Sequence, residues 1–476
     1  MPRPTAAPEA IGVVAAIALA TGIALEALAA GALAFPDAVG FGRHAVGWRG
    51  GEVVAVTTLA DRGPGSLRRC AGRARRGPES DPPRVCVFRV AGTIALERPL
   101  HLRSNLYVAG QTAPGGVQLR LARGAAGKTP VVIRDAHDVV VRFLRIRPGA
   151  PARPSPSVDA LTVEDARNVY LDHLSLQFAT DENFNVHANR AFTGDVTLAD
   201  SIVAFGLDRS NHPKGRHSKG ALVCSTERRT GDCGRVTLAG NLFAHNRDRN
   251  PDVKATHGRT IEIVGNVFYD AVSQFGEFYD LVGDTHVVYA GNVARPGPST
   301  KRPPPAAVEG FDFDPGHDLF LHVGENRFDD ACGRGTAPVV DEAAGRFLAA
   351  GRPGDATTPV EPPGRTLQAV LGRAGARDAV EGADALDRRI LANVSACAGR
   401  VVDRVDQAGG WPVPAAMPPE ADADGDGMGD AWERTRGLDP SDPGDAWHDA
   451  DANGWSDLED FLEHRARLAL AVMPPR

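Results

Sequence analysis

Val236-Thr237-Leu238-Ala239-Gly240-Asn241 is the phrase whose reading decides the fold. Three later or earlier phrases echo it: Val196-Thr197-Leu198-Ala199-Asp200-Ser201, Ile261-Glu262-Ile263-Val264-Gly265-Asn266 and Val287-Val288-Tyr289-Ala290-Gly291-Asn292. Each opens on a β-branched residue, alternates like a strand, and carries Asn or Ser five positions after its first residue. Related starts occur earlier, at Val139-Val140-Val141-Arg142-Phe143 and Val169-Tyr170-Leu171-Asp172-His173. The spacing, about 25 to 40 residues, is the period of stacked repeats. A column of side-chain amides at one place in the phrase is expected where each coil turns a corner and the amide bonds to the next rung. Separate hairpins would need tight two-residue turns between phrases, and these are scarce. The chain therefore reads as an all-β protein, a parallel β-helix whose coils touch only their neighbours.

With 476 residues, 42% of them hydrophobic, the chain can bury a large core and length alone leaves one to three domains open. Its 53 glycines and 36 prolines suit a turn-rich β architecture. A formal charge of −7 argues against a general nucleic-acid binder, so a polyanion would have to be met by local cations or a bound metal. Residues 1–34 read as a signal peptide: Arg3, an apolar run over 11–25, and the small-residue site Ala32-Leu33-Ala34. No later stretch is long and apolar enough to span a bilayer. The six cysteines Cys70, Cys86, Cys224, Cys233, Cys332 and Cys397 are even in number and fit an extracellular or periplasmic location. Six allow fifteen pairings; proximity favours Cys70 with Cys86 and Cys224 with Cys233, leaving Cys332 for Cys397. No tight Cys-x-x-Cys pair invites zinc.

The β-helix is expected over 35–330, with the proline-dense 296–305 marking the fading of its pattern. Residues 331–411 hold two helix-like patches, 366–372 and 383–392, and read as an extension packed on the β-helix. The proline-rich 412–419 reads as a semi-stiff linker. It leads to a small calcium module over 420–465, of EF-hand or thrombospondin-type-3 kind. Asp422, Asp424, Asp426, Gly427, Asp430 and Glu433 take positions one, three, five, six, nine and twelve of a calcium loop. A second copy runs Asp449, Asp451, Asn453, Gly454, Asp457 and Asp460. Two such loops point to a structural metal rather than a catalytic one.

The chemistry concentrates between residues 159 and 254. In order come Asp159-Ala160-Leu161, Asp172-His173, Asp181-Glu182, Asn211-His212-Pro213-Lys214-Gly215-Arg216-His217-Ser218-Lys219-Gly220 and Asp248-Arg249-Asn250-Pro251-Asp252-Val253-Lys254. Acidic groups come first and cations last. Stacked coils would bring them to one face, which suits a metal ion bridging an anionic substrate. There is no nucleophile elbow, Walker loop or dinucleotide fingerprint.

This succession resembles the pectate lyase family, polysaccharide lyase family one, in its secreted bacterial branch, over about residues 34–300. The resemblance implies a right-handed parallel β-helix, a monomer, and calcium-assisted β-elimination of α-1,4-linked polygalacturonate or a related uronate polymer, with no membrane partner once the signal is removed. It implies calcium ligands at Asp159, Asp181, Glu182 and Asn185, the last standing where relatives have Asp, and Ser157 stands where some carry a further Asp. Both departures lower the charge of the site. Arg249 matches the family's proton-abstracting base, although a guanidinium ordinarily stays protonated, and a plainer role is to clamp a carboxylate. Lys254 matches a substrate-binding position, either Lys214 or Lys219 neutralises a substrate carboxylate, and His217 can touch sugar. Asp172 and His173 resemble a buried structural pair. Two other classes remain open: a β-helical glycoside hydrolase using two of these carboxylates, and a non-catalytic carbohydrate-binding β-helix.

Overall fold

The computed structural model describes residues 32–72, 81–225, 231–255 and 257–472. Most of the expected signal peptide lies outside them. Three parallel sheets of ten, nine and eight strands run along one axis, and each coil contributes one strand to each sheet in turn. One coil, for example, supplies Arg167–Asp172, Ser175–Gln177 and Glu182–His187 before the chain re-enters the first sheet at Thr193–Ala199. This is a parallel β-helix, and the echoing phrases are its rungs. Val236 stands over Val196, Ile261 over Val236, Val287 over Ile261, and Leu321 over Val287, all within the ten-stranded sheet.

The amide column forms as the sequence leads one to expect. Asn241, Asn266 and Asn292 use their Oδ1 atoms to accept the backbone N–H of Ser201, Asn241 and Asn266 at 2.8–2.9 Å. Their Nδ2 groups donate to the carbonyls of Leu198, Leu238 and Ile263. Asn326 continues the ladder one coil further. A buried amide must satisfy its donor and acceptor together, and a repeated corner does this for every rung. The residue before each corner sits in the left-handed region, at φ 43° for Asp200 and 65–70° for Gly240, Gly265 and Gly291, a conformation most comfortable for glycine.

Side chains pointing inward, such as Val196, Leu198, Val236, Leu238, Ile261 and Ile263, stack into one continuous apolar core. Among the described residues the cysteines pair as Cys70–Cys86, Cys224–Cys233 and Cys332–Cys397, and none is free. Beyond the last full coil, helices Pro363–Arg373 and Ala385–Ala396 bury Val370, Leu386, Ile390 and Val394 against the outer face of the nine-stranded sheet. Beneath them Arg145 and Arg147 are paired with Asp378, Asp384 and Asp387 at 2.6–3.1 Å.

The segment 412–419, expected to act as a spacer, is strapped to the coils. The Pro412 carbonyl accepts from Gln118, and Met417 N–H donates to Pro114 O at 3.0 Å. The C-terminal helices Asp430–Arg436 and Asp457–Ala471 then lay Trp432, Leu458, Phe461 and Leu462 on the outer face of the ten-stranded sheet, against Val85, Tyr107 and Val140. Glu463 and Glu459 add ion pairs to Arg142 and Arg49. No described helix is long and apolar enough to cross a membrane.

Candidate active site

The eight-stranded sheet brings the expected site residues to successive rungs. Its strands Leu161–Glu164, Glu182–His187, Lys219–Ser225, Asp252–Val253, Gly276–Tyr279 and Val308–Phe311 follow one another along the axis. Asp159 precedes the first of these. Asp181 precedes and Glu182 opens the second, Lys219 opens the third, and Arg249 turns into the fourth with φ 57°.

Asp159, Asp181 and Glu182 each bring a carboxylate oxygen within 4.8 Å of the others. Asp159 is buried and accepts hydrogen bonds from Thr162 Oγ1 at 2.6 Å, Asn185 Nδ2 at 3.1 Å and Glu182 N–H at 3.2 Å. Asp181 accepts from His217 Nε2 at 2.8 Å, and the His217 ring stacks on His212 at 3.8 Å. Burial raises all three carboxyls above the ordinary range, and neighbouring carboxylates add to this for Asp159 and Glu182. Three converging acids are the donor set a hard divalent cation takes. Asn185 differs from the expectation that it is a fourth ligand: it turns its NH2 toward Asp159 and buttresses it, offering no oxygen there.

Arg249 reaches the same cluster. Its Nη1 donates to Glu182 Oε1 and its Nε lies 3.4 Å from Asp252. Burial works against the guanidinium's charge, but Glu182 and Asp252 outweigh it and hold the group more firmly protonated than an ordinary arginine. Lys254 pairs with Asp252 at 3.4 Å and Lys219 pairs with Asp248. Lys219, Arg249 and Lys254 thus line one pocket of about 360 Å³, with Asp248, Asp252 and Glu277 among its other walls. Lys214 is exposed on the loop before Lys219, outside this pocket, and makes no ion pair among the described residues. His217 is pushed down to about 4 by burial and by Lys219, so it stands neutral beside Asp181. Asp172 and His173 lie on the ten-stranded sheet, clamped by Arg142 and stacked on Phe143, away from this cluster.

A chain 31% identical over 438 residues, spanning 90% of this chain and 92% of its own length, is the probable pectate lyase C of Aspergillus flavus. The chain belongs to the pectate lyase family. It is a polysaccharide lyase by that membership, and the probable pectate lyase C of Aspergillus oryzae is similar at 30% over the same share of both chains. These relatives are fungal, whereas the sequence resemblance pointed to the bacterial branch. Solved structures agree with the right-handed parallel β-helix. The cedar pollen allergen jun a 1 covers 71% of the chain with a TM-score of 0.51 at 17% identity. A Bacillus subtilis pectate lyase covers 73% with a TM-score of 0.50 at 11% identity. No family model matches the chain.

Sequence reasoning left roles unassigned for Asp248 and Asp252, and it missed Glu277, Tyr279, Phe311 and Phe313. The available signal was the coil period. Asp252 and Glu277 are partners on adjacent rungs, as are Tyr279 and Phe311.

The C-terminal loops form a second acidic region. Asp422, Asp424 and Asp426 converge, and so do Asp426, Glu433 and Asp445. Asp445, from the turn between the two expected loops, was not anticipated. Both Glu433 oxygens, Asp424 Oδ2, Asp426 Oδ2 and Asp445 Oδ1 are buried without a hydrogen-bond partner. Asp430 is turned to Ala423 N–H and Arg434, so it braces the loop. The second loop departs from the expected ligand set. Asp449 accepts from the N–H groups of Asn453 and Gly454, Asp451 and Asp460 pair with Arg436, and Asn453 donates to Asp460. Among the described residues, its donors do not converge. Asp457 keeps one unpartnered buried oxygen.

Proposed function

We propose that the protein depolymerises polygalacturonate, or a closely related uronate polymer, by calcium-assisted β-elimination outside the cell. The observation that carries this reading is the meeting of Arg249 with Glu182 beside Asp159 and Asp181, because it sets a carboxylate clamp against a cation site. Removing the proton next to a uronate carboxylate builds negative charge on that carboxylate. Cations placed there in advance stabilise the transition state more than the ground state. Lys219 and Lys254 orient substrate carboxylates, with Lys214 at the entrance. Arg249 binds the uronate at the reacting unit. Glu182 and Asp252 favour its charged form, so its first role is electrostatic, and accepting the proton would require those carboxylates to be drawn away.

Calcium held by Asp159, Asp181 and Glu182 would supply divalent charge bridging enzyme and uronate. Glu182 Oε1 cannot serve both Arg249 and a cation fully, and Asn185 adds no charge. Weak binding at the centre, strengthened by substrate, follows from this. At the C-terminus, Asp424, Asp426, Glu433 and Asp445, with Asp422, would hold a structural calcium ion. Their unpartnered buried oxygens need such a partner. Residues 1–34 act as an export signal, the coils over 35–330 form the catalytic unit, and the protein works as a monomer. The test is the ultraviolet absorbance of polygalacturonate incubated with the full chain. Elimination yields an unsaturated, absorbing end, whereas hydrolysis yields new reducing ends with no such absorbance, and simple binding yields neither.

A further inference from the structure

Above Arg249 the groove changes character. On the outer face of the next two rungs, Tyr279 and Phe311 stack with ring centres 4.9 Å apart, and Phe313 stacks on Tyr279 at 5.5 Å. Phe313 is 59% exposed and Leu281 40% exposed, an unusual outlay of apolar surface beside a charged site. The loop bearing Phe313 is fixed, because Asp280 accepts its N–H at 2.7 Å. Rungs repeat at about 4.8 Å, so this platform begins one rung from the Arg249 strand and continues that pocket.

Beside the rings runs a column of acids. Asp252, Glu277 and Glu309 are register partners on three successive rungs, a placement that like charges resist. Of the nearby cations, Lys219 is paired with Asp248 and Arg249 with Glu182 and Asp252, while Lys254, paired with Asp252, also lies over the Tyr279 ring at 5.5 Å, and Lys301 faces Glu309 at the far end of the column. Glu277 meets no cation among the described residues. It accepts the Arg249 N–H at 3.3 Å and the Tyr279 hydroxyl at 2.7 Å. A uronate carboxylate placed beside Glu277 would face the middle acid of this column, which no described cation pairs. A neutral sugar would lay its apolar face on the rings and donate its hydroxyls to the carboxylates.

We propose that Tyr279, Phe311 and Phe313, with Glu277, form a subsite for a sugar unit bearing no free carboxylate, one or two units along the chain from the residue held by Arg249. The neutral unit can be a methyl-esterified uronate or a neutral sugar interrupting the polymer. The inference rests on the proposed uronate lyase reading for the position of the reacting unit, while the binding preference stands by itself.

The test compares the full chain with Phe313→Ala and Glu277→Gln on three polymers: fully de-esterified polygalacturonate, partly methyl-esterified polygalacturonate, and a rhamnose-interrupted uronan. Rates come from ultraviolet absorbance and binding from calorimetry. Phe313→Ala is expected to lower kcat/KM and affinity about three- to tenfold more on a polymer with neutral units than on the de-esterified one. The polymer showing that loss identifies the neutral source. Glu277→Gln is expected to narrow the preference by improving the de-esterified substrate. Equal losses on all polymers, or no loss on any, would overturn the proposal. Absence of absorbing product with every polymer would count against the lyase reading, and calorimetry would still decide the subsite. Phe313 lies outside the core, so a matching melting curve confirms that its variant folds.

Discussion

Two clusters of carboxylates in this molecule are alike in composition and opposite in condition. At the centre of the groove, Asp159, Asp181 and Glu182 are each held by the protein itself, through Thr162 and Asn185, His217, and Arg249. In the C-terminal loop, Glu433, Asp426 and Asp445 bury oxygens that nothing among the described residues satisfies. A partnered carboxylate is positioned and exchangeable, which suits a site that must accept and release a charged chain. An unpartnered buried carboxylate costs stability until a cation arrives, which suits a metal that stays. The difference separates turnover from stability, and each prediction below tests that separation.

The largest effect is expected at the centre. Arg249→Ala should lower kcat on polygalacturonate at least about a thousandfold, equivalent to about 4 kcal/mol of transition-state stabilisation. The melting temperature should change little. Loss of activity together with collapse of the fold would place Arg249 in the scaffold instead. Next in size, chelation should lower thermal stability by about 2–3 kcal/mol relative to calcium at a hundredfold excess over Kd. Glu433→Gln and Asp445→Asn should each largely abolish that difference while retaining activity under saturating calcium. If Asp159→Asn removed the difference instead, the assignment of the two clusters would be reversed.

Smaller effects sharpen the contrast. Asn185→Asp adds a charge beside Asp159, so the calcium concentration giving half-maximal activity should fall about tenfold. An unchanged requirement would mean that Asn185 lies outside the ion's reach. Smallest is the pH effect of Glu277, whose carboxyl is pushed up to about 7 by burial, with Asp252 adding to it. The folded protein holds this proton more tightly than the unfolded chain, whose value is near 4.5. Stability should therefore fall as pH rises through that window, and Glu277→Gln should flatten the slope. An identical slope in the variant would assign the dependence to other groups.

The scaffold was the most legible part of the sequence, because burial on every rung forces one register. Val236 and Ile261 could be paired by eye, and the amides at 241, 266 and 292 mark the corners where they bond. The acids at 159, 181 and 182 and the cations at 249 and 254 were expected from resemblance to the family, which left Lys214 and Lys219 open; only the stacked coils put Lys219, and not Lys214, in the pocket with Arg249 and Lys254. The walls of the groove were harder to read. The strand Asp252–Val253 has two residues, too few to carry a pattern. Tyr279, Phe311 and Phe313 belong to different coils and meet only when the rungs stack. Asp445 sits between two motifs whose spacing drew attention away from it. The linker expected at 412–419 illustrates a further limit, since proline content predicts stiffness but not the Pro114 and Gln118 partners that tie the segment down.

The most direct measurement is the ultraviolet progress curve of the full chain on polygalacturonate, recorded with calcium and again with excess chelator. The account predicts rising absorbance with calcium and its near-complete loss with chelator, restored when calcium is returned. Cleavage that releases reducing ends without absorbance would contradict it, as would an elimination rate indifferent to calcium.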